Sequence, residues 1–598
     1  MQFKGVLISF WVLALIATVM AQQKPNDQSS VDARRQQLKE LLHEHWEYTL
    51  RTNPEFASIL GDKRYNDKLS DASYEAVQKD LAAKKEFLTR FENIDTTGFP
   101  EQETLNKTLM IRNLREDLDE AKFRPWEMPV NQFTGLQVQI PSTVSMLPFT
   151  NVKDYEDYIT RLKGLPKVFD DVTDLMRRGL TSGRVPPGIL LNQVTAQCSR
   201  IAEMKPEESP FAAPVTKFPA GISEADQKRL RAAVIEAVRG SVQPMYAKFA
   251  KFVDEEYAPK GRTEVGMWAL PQGEAWYAFR VQQSTTTNLS PEQIHQIGLQ
   301  QVAANHAEML KIANKFGYKD LKSFDAAIKQ NPELRPKSGE QMLELYRNYI
   351  DAMWAKLPQL FGHMPKAKME VDAVEKFREK EAAGAEYRRP APDGSRPGRV
   401  MVNTSDLEKR TTVDVETTAY HEGVPGHHLQ LAISQELPAL PPFRQQGYYT
   451  AYIEGWALYS ERLGKEVGFF KDPYSDYGRL QADLMRAIRL VVDTGLHHKR
   501  WTRQQVVDYF HNNSGIDEPT VQSETDRYIA WPAQALGYKV GQLRLLELRA
   551  RAEKELGPQF DIRAFHDTLL GAGALPLDVV ERRVNEWIER KKEVARAQ

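Results

Sequence analysis

Asp32-Ala-Arg-Arg-Gln-Gln-Leu38-Lys-Glu-Leu41-Leu42-His-Glu-His-Trp46-Glu-Tyr-Thr-Leu50 sets apolar side chains at 38, 41, 42, 46 and 50, with charged and polar residues between them. Steps of three and four residues return a side chain to the same face of a helix, so this stretch predicts an amphipathic helix. The pattern recurs along the chain. Residues 72–92 and 103–120 repeat it, and 153–180 carries Tyr155, Tyr158, Ile159, Leu162 and Leu165, with Gly179 near the expected end. Residues 223–255 predict another helix. Ser290-Pro-Glu-Gln293 is a helix start, with Ser as N-cap, Pro in the first turn and Gln three residues after the Ser; it opens a helix to about Phe316. The expected fold class is mainly α.

The 598 residues are 41% hydrophobic and 27% charged, the balance of a globular chain rather than a disordered one. Lys and Arg number 80 against 81 Asp and Glu, for a net charge of −1, and no excess of cations is available to neutralise a nucleic-acid backbone. Cys198 is the single cysteine, which rules out an intramolecular disulfide, a thiolate zinc cluster and an iron–sulfur site. Any metal must be held by His and carboxylates.

Lys4 followed by an apolar run over residues 6–20, then Val19 and Ala21 in a small-x-small pattern, predicts a secretory signal cleaved after Ala21. No cysteine follows, so a lipoprotein anchor is not expected. The expected organisation is a signal peptide over 1–21, a flexible mature N-terminus over 22–34, and one large helical domain over 35–598. The Pro-rich stretch 205–222 is a possible lobe boundary, a linker or long surface loop. The protein is expected to be secreted or periplasmic, with no stable membrane insertion after cleavage and no nucleic-acid partner.

Between 384 and 398 the chain becomes rich in Gly and Pro, which cannot sit inside a long helix. Arg399-Val-Met-Val-Asn403 follows and predicts a short strand. Residues 411–436 then return to helical spacing, interrupted at Pro425-Gly426.

That interruption falls inside Tyr420-His421-Glu422-Gly423-Val424-Pro425-Gly426-His427-His428-Leu429-Gln430. In zinc hydrolases, two histidines four apart on a helix face one metal, and the Glu after the first is the general base that activates water. Here the second histidine comes late. On an unbroken helix six residues turn through about 600° and seven through about 700°, so neither His427 nor His428 joins His421 in regular geometry. Pro425 breaks the hydrogen-bond ladder and Gly426 permits a bulge, which can return His427 to the metal; His428 is the alternative. The third ligand is expected at Glu454, in Tyr452-Ile-Glu-Gly-Trp-Ala-Leu-Tyr-Ser-Glu461. Glu454 and Glu461 share one helix face, so Glu461 can orient a ligand histidine. Gly455 and Ala457 are expected to let this helix approach the His421 helix closely. Zinc is the metal that a His and carboxylate donor set favours.

Further candidates line up downstream. His497, in Asp493-Thr-Gly-Leu-His-His498, is a candidate to stabilise an oxyanion or bind a terminal carboxylate. Arg527 and Tyr528, with Tyr538, offer a carboxylate clamp and a phenol donor. Trp276-Tyr277 is a candidate lining for the cleft.

The run His421–Gln430 resembles the signature of the bacterial domain-of-unknown-function family 885. So do Asp393-Gly-Ser-Arg-Pro-Gly398, Glu454-Gly-Trp-Ala-Leu-Tyr-Ser-Glu461, Asp493-Thr-Gly-Leu-His-His498 and Arg527-Tyr-Ile-Ala-Trp-Pro-Ala-Gln-Ala-Leu536. The resemblance extends from about residue 35 to the C-terminus. That family is similar in turn to gluzincin metallopeptidases such as the thimet oligopeptidase, angiotensin-converting enzyme and Taq carboxypeptidase families. There a Glu ligand on a second helix likewise follows the histidine motif. Dipeptidyl peptidase three also carries an insertion before its second histidine; this chain carries a longer one. The resemblance implies a two-lobed helical body around a deep cleft, a short strand or sheet beside the metal-site helix, and zinc-dependent cleavage of short peptides. It also suggests for Arg399 to Asn403 an edge strand that pairs with substrate backbone, the alternative being a structural strand that covers the core. Two other functions use the same residues: a zinc amidase or esterase with a non-peptide substrate, and a non-catalytic metal- or peptide-binding protein of the export compartment.

Overall fold

The computed structural model describes residues 9–374, 379, 383–390, 396–437 and 440–597, with side chains from residue 30 to residue 596. Residues 1–8 of the expected signal and Asp393, Gly394 and Ser395 of the Gly/Pro-rich motif lie outside the described residues. The fold is mainly α. The only sheet among the described residues is a small one of three strands.

The chain divides into two units, each assembled from several sequence segments. The first comprises Met1–Pro129, Leu136–Arg178 and Ala196–Phe252. In it, helices Tyr74–Glu92 and Glu101–Glu120 bury Phe87, Phe91, Leu105, Leu109 and Leu114, and Ser73 caps the first by accepting from the Ala76 amide. The N-terminal helix Ser9–Thr52 contains residues 22–34, expected to be flexible, and runs across the expected cleavage point. Among the described residues no helix is long and apolar enough to cross a membrane.

The Pro-rich stretch 205–222 is not the boundary between the two units, and its exposed residues are interspersed with buried ones. It lies within the first unit and folds into two tight turns, Pro206–Glu208 and Pro210–Val215. Phe211, Ala212 and Val215 are buried, and Tyr158 donates its hydroxyl to the Phe211 carbonyl at 2.8 Å. The prolines fix the turns, and the apolar residues between them supply core.

The second unit comprises Val130–Gly135, Gly179–Thr195 and Val253–Gln598, and contains every candidate site residue. Its helix Pro291–Lys315 begins with the expected capping box: Ser290 Oγ accepts from the Gln293 amide at 3.2 Å, and Gln293 Oε1 accepts from the Ser290 amide at 2.9 Å.

The sheet is ordered β1 (Met369–Ala373), β3 (Gly398–Val402), β2 (Ala385–Arg388). β3 pairs with β1 in parallel, Val371 opposite Val400, and with β2 antiparallel, Tyr387 opposite Val400. This corrects the expected edge strand. β3 is central, its backbone groups are used on both sides, and Val400, Met401 and Val402 are buried in sequence, as a doubly covered strand requires. The spacing of charged residues in β1 and β2 carried too weak an alternation to reveal either strand.

Three helices build the site, Val415–Glu422, His427–Glu436 and Thr450–Glu466, and Pro473–His497 backs the first of them through Ser475. Helix Thr450–Glu466 is buried along most of its length, Trp456 completely. Its Gly455 does not face the His421 helix as expected. A Cβ there would lie 2.5 Å from Gly541 Cα, so Gly455 admits helix Leu536–Leu556 instead. The close approach to the His421 helix is made by Gly464, where a Cβ would come within 2.8 Å of the Tyr420 ring.

Candidate metal centre

The His421 helix stops at Glu422, and residues 423–426 turn the chain back on that helix end. The Gly423 amide donates to Ala419 O at 2.9 Å, the Gly426 amide to Tyr420 O at 3.0 Å and the His428 amide to Gly423 O at 3.0 Å. The Val424-Pro425 peptide is cis. Only glycine fits at 426, since a Cβ would lie 2.0 Å from the His421 carbonyl oxygen. Trp456 Nε1 donates to Pro425 O at 2.9 Å and holds the turn against the Glu454 helix. The result is a reversal that regular helical spacing cannot make. The His421 and His427 rings stand 4.8 Å apart, centre to centre, and nearly perpendicular.

Glu454 meets both rings. Its Oε2 lies 3.7 Å from His421 Nε2 and 3.5 Å from His427 Nε2, and all three residues are buried. Zinc–ligand bonds of 2.0–2.2 Å at tetrahedral angles put donor atoms about 3.3–3.5 Å apart, so these three residues fit a zinc ion with little adjustment. His421, His427 and Glu454 form a possible metal site.

His421 is oriented from behind. Its Nδ1 donates to Glu461 Oε1 at 2.8 Å, which leaves Nε2 as the free donor atom on the site side. The other Glu461 oxygen accepts from Thr417 Oγ1 at 2.7 Å. Thr417 and His421 lie one helical turn apart, so one carboxylate locks two side chains of one helix face. The helix itself is pinned by buried Glu416, which accepts from Tyr420 Oη at 3.0 Å, the Phe470 amide at 2.9 Å and Ser475 Oγ. His427 Nδ1 is buried without a hydrogen-bond partner among the described residues.

The charges around the two imidazoles are those of a cation site. Burial acts against a charged His421, but hydrogen bonds to Glu454 and Glu461 and the charge of Glu422 raise its pKa overall. Burial likewise opposes ionised Glu454, yet the His427 and His421 rings hold its pKa well below the usual range. Glu422 differs: burial pushes its pKa up, and its carboxylate has no hydrogen-bond partner among the described residues. A carboxylate with a raised pKa beside a metal site and free of partners can take and return a proton.

The other expected site residues are placed as follows. His428 does not reach the cluster: Tyr387 Oη bonds its Nδ1 at 2.9 Å, and its Nε2 meets Ala367 O at 3.2 Å. Both nitrogens are engaged, and burial drops its pKa to about 4. His497 is a packing histidine: the Met267 amide donates to its Nδ1 at 3.0 Å and its Nε2 donates to Tyr528 O at 3.0 Å. Tyr528 is fully buried, donates to Glu524 and accepts from Arg489 Nε at 3.1 Å. Arg527 is held by Glu524 Oε1 at 3.0 Å and Gln534 Oε1 at 2.7 Å. Tyr538 is half-buried, with the Arg489 guanidinium 4.7 Å from its ring centre. Trp276 and Tyr277 are core rather than cleft lining, and Tyr277 donates to buried Asp493 at 2.6 Å.

One residue with no motif around it joins the site, and a second lies near that one. Tyr448 donates its hydroxyl to Glu454 Oε1 at 3.2 Å while its side chain remains more than half exposed. Arg389, just past β2, shares a pocket with Gly447, Ile453 and Gln430, the neighbours of the site residues. The signal for Tyr448 was an aromatic pair in a glycine-containing loop six residues before Glu454. For Arg389 the sequence held none.

The model of the family described as "Bacterial protein of unknown function (DUF885)" matches residues 54–584. No curated protein matches the chain. Among solved structures, a protein of Colwellia psychrerythraea described as a "putative lipoprotein" is 32% identical, with a TM-score of 0.88 over 93% of this chain and 100% of that one. A Shewanella oneidensis protein, described as a "putative lipoprotein of unknown function", is 17% identical with a TM-score of 0.70, covering 91% of this chain and 99% of the other, and so shares the fold. A Bacillus anthracis protein described as a "putative oligoendopeptidase F" aligns at 14% identity over 87% of this chain and 96% of its own, with a TM-score of 0.30, too low to carry an argument.

Proposed function

We propose that this chain, which belongs to the bacterial DUF885 family, is a zinc-dependent hydrolase that cleaves peptide bonds of short peptides. The observation that carries the reading is the convergence of His421 Nε2, His427 Nε2 and Glu454 Oε2, with Glu422, which has no hydrogen-bond partner among the described residues, next to His421 in the chain and Glu461 locking His421 from behind. Zinc at such a site supplies a Lewis acid that acidifies water and polarises a carbonyl.

The chain's own residues do the rest. Glu422 takes the proton of the attacking water, and its raised pKa suits it to hand that proton to the departing amine. Tyr448, whose hydroxyl donates to Glu454, can give that bond instead to the oxygen that gains negative charge. Glu461 and Thr417 keep His421 in one ring orientation throughout. The apolar run over residues 6–20, together with a 32%-identical relative described as a "putative lipoprotein", supports export of this chain, and we place its activity in the periplasm or outside the cell.

The test is metal content and cleavage of a mixed peptide library by wild type and Glu422→Gln. About one zinc in both, with turnover in wild type alone, is the expected result. Zinc in both without turnover would turn the reading to a binding protein or to an amidase or esterase. Absence of zinc from both folded proteins would remove the site.

A further inference from the structure

Asp493 and His497 lie one turn apart on one face of helix Pro473–His497, both buried, and the proposed hydrolysis uses neither. Each holds a backbone group of the same distant segment. His497 Nε2 donates to Tyr528 O at 3.0 Å, near the end of helix Glu518–Ala530. Asp493 accepts the Ala533 amide on both carboxylate oxygens, at 3.1 and 3.0 Å, and the Tyr277 hydroxyl at 2.6 Å. It accepts from no Lys or Arg among the described residues. A buried carboxylate with no cation bonded to it is costly to keep. Burial pushes the Asp493 carboxyl up to about 7, although the bonds from Tyr277 and Ala533 and the charge of Arg527 act the other way.

The carboxylate secures a strained turn. Ala533 is buried with φ at +67°, the left-handed region that a residue bearing a Cβ disfavours. It lies between helices Glu518–Ala530 and Leu536–Leu556, and its carbonyl accepts from the Leu536 amide at 3.1 Å, so its conformation sets where the second helix begins. That helix packs on the Glu454 helix almost backbone to backbone. A Cβ on Gly537 would lie 3.2 Å from the Ala451 nitrogen, and one on Gly541 would lie 1.9 Å from the Ala451 carbonyl oxygen. Tyr538 stands on its first turn, and burial, followed by the charge of Glu454, raises the pKa of its phenol. A displaced turn would therefore move Tyr538 relative to a metal ligand.

We propose that Asp493 is a positioning residue for the metal centre: by holding the Ala533 amide in the left-handed turn, while His497 holds the Tyr528 carbonyl, it sets the helix start that carries Tyr538 beside Glu454. The consequence for turnover rests on the hydrolase reading; the hold on the turn does not.

The experiment is fluorine NMR of the full-length protein labelled with 5-fluorotryptophan, alongside peptide turnover. Trp531 opens the turn, and its signal is identified by its loss in Trp531→Phe. Asp493→Asn keeps the shape of the side chain but offers the Ala533 amide one acceptor in place of two. It should shift or split the Trp531 signal and lower kcat by about 100-fold, the cost of a displacement of about 1 Å. Ala533→Gly added to Asp493→Asn should return the signal to its wild-type position and recover at least about tenfold in kcat, because glycine adopts positive φ unaided. An unmoved Trp531 signal in Asp493→Asn, or a displaced one that Ala533→Gly fails to return, would overturn the proposal. A purely structural role in the core gains nothing from a change at residue 533. If Asp493→Asn does not fold, folding restored by Ala533→Gly supports the hold, and continued failure overturns it. A signal displaced and returned with no turnover in wild type would keep the hold and sink the hydrolase reading. The same signals with turnover undiminished in Asp493→Asn would keep the hydrolase and sink the positioning role.

Discussion

His421 Nδ1 donates to Glu461 Oε1 at 2.8 Å, across two helices and with both side chains buried. The bond fixes which nitrogen of His421 is free to bind metal. Replacing Glu461 by Gln keeps the shape but removes the charge that favours this tautomer. Such second partners typically contribute about 10–100-fold to metal affinity. Glu461→Gln should therefore bind zinc about 10–100-fold more weakly in competition with a chelator, with a smaller loss for Thr417→Val.

Histidine 427, not 428, should hold the metal. His427→Ala should reduce zinc well below one per chain, because it removes one of the three donor atoms that converge on one point. His428→Ala should retain zinc but lower stability by about 1–3 kcal/mol, since Tyr387 Oη and Ala367 O lose their partner. Metal analysis and urea titration of the two variants check both halves.

Gly426 is where the reversal has no room. With a Cβ 2.0 Å from His421 O, Gly426→Ala must push the turn off the helix end. A destabilisation of about 1–3 kcal/mol is expected, together with loss of zinc because His427 is displaced. Full zinc occupancy in this variant would show that the turn does not position the ligand.

Tyr448 touches Glu454 through its hydroxyl alone. Tyr448→Phe should lower kcat by about 100-fold or more while zinc content and KM change little, the pattern for a donor used only in the transition state. A rise in KM at constant kcat would assign Tyr448 to substrate binding instead.

Acid should destabilise the protein through buried neutral histidines. Burial lowers the pKa of His497 and of His566 to about 3, and backbone hydrogen bonds to Tyr528 and Leu360 offset only part of it. Both are neutral in the folded state, whereas the unfolded chain protonates them near pH 6.5. Their contribution is complete above about pH 6.5 and is lost as pH falls toward 3. At pH 5 each costs about 2 kcal/mol. Urea midpoints at pH 7.5 and 5.0 should differ accordingly, and His497→Gln should shrink the difference.

Local chemistry was legible in the residues themselves. Helical spacing at Leu38 to Leu50, the capping box at Ser290 and Gln293, and the break at Pro425-Gly426 each depend on neighbours within a few positions. So does the shared face of Glu454 and Glu461, because a helix repeats at a known angle. The chain by itself therefore determined a helical protein with a His, Glu and carboxylate site interrupted by a turn.

What tertiary structure decided is everything that needs a distant partner. Whether His427 or His428 turns toward Glu454 depends on a reversal held by Trp456, about thirty residues away. The middle place of β3 depends on β1 and β2, and the fates of His497, Arg527 and Tyr528 depend on Met267, Glu524 and Arg489. Gly455 met Gly541 rather than the His421 helix, since both glycines expose bare backbone to each other. Tyr448 sits in no motif; it joins the site because packing brings its loop beside Glu454. Spacing along a helix is a property of the helix alone, whereas a side chain's partner is chosen by burial and hydrogen bonding across the whole core.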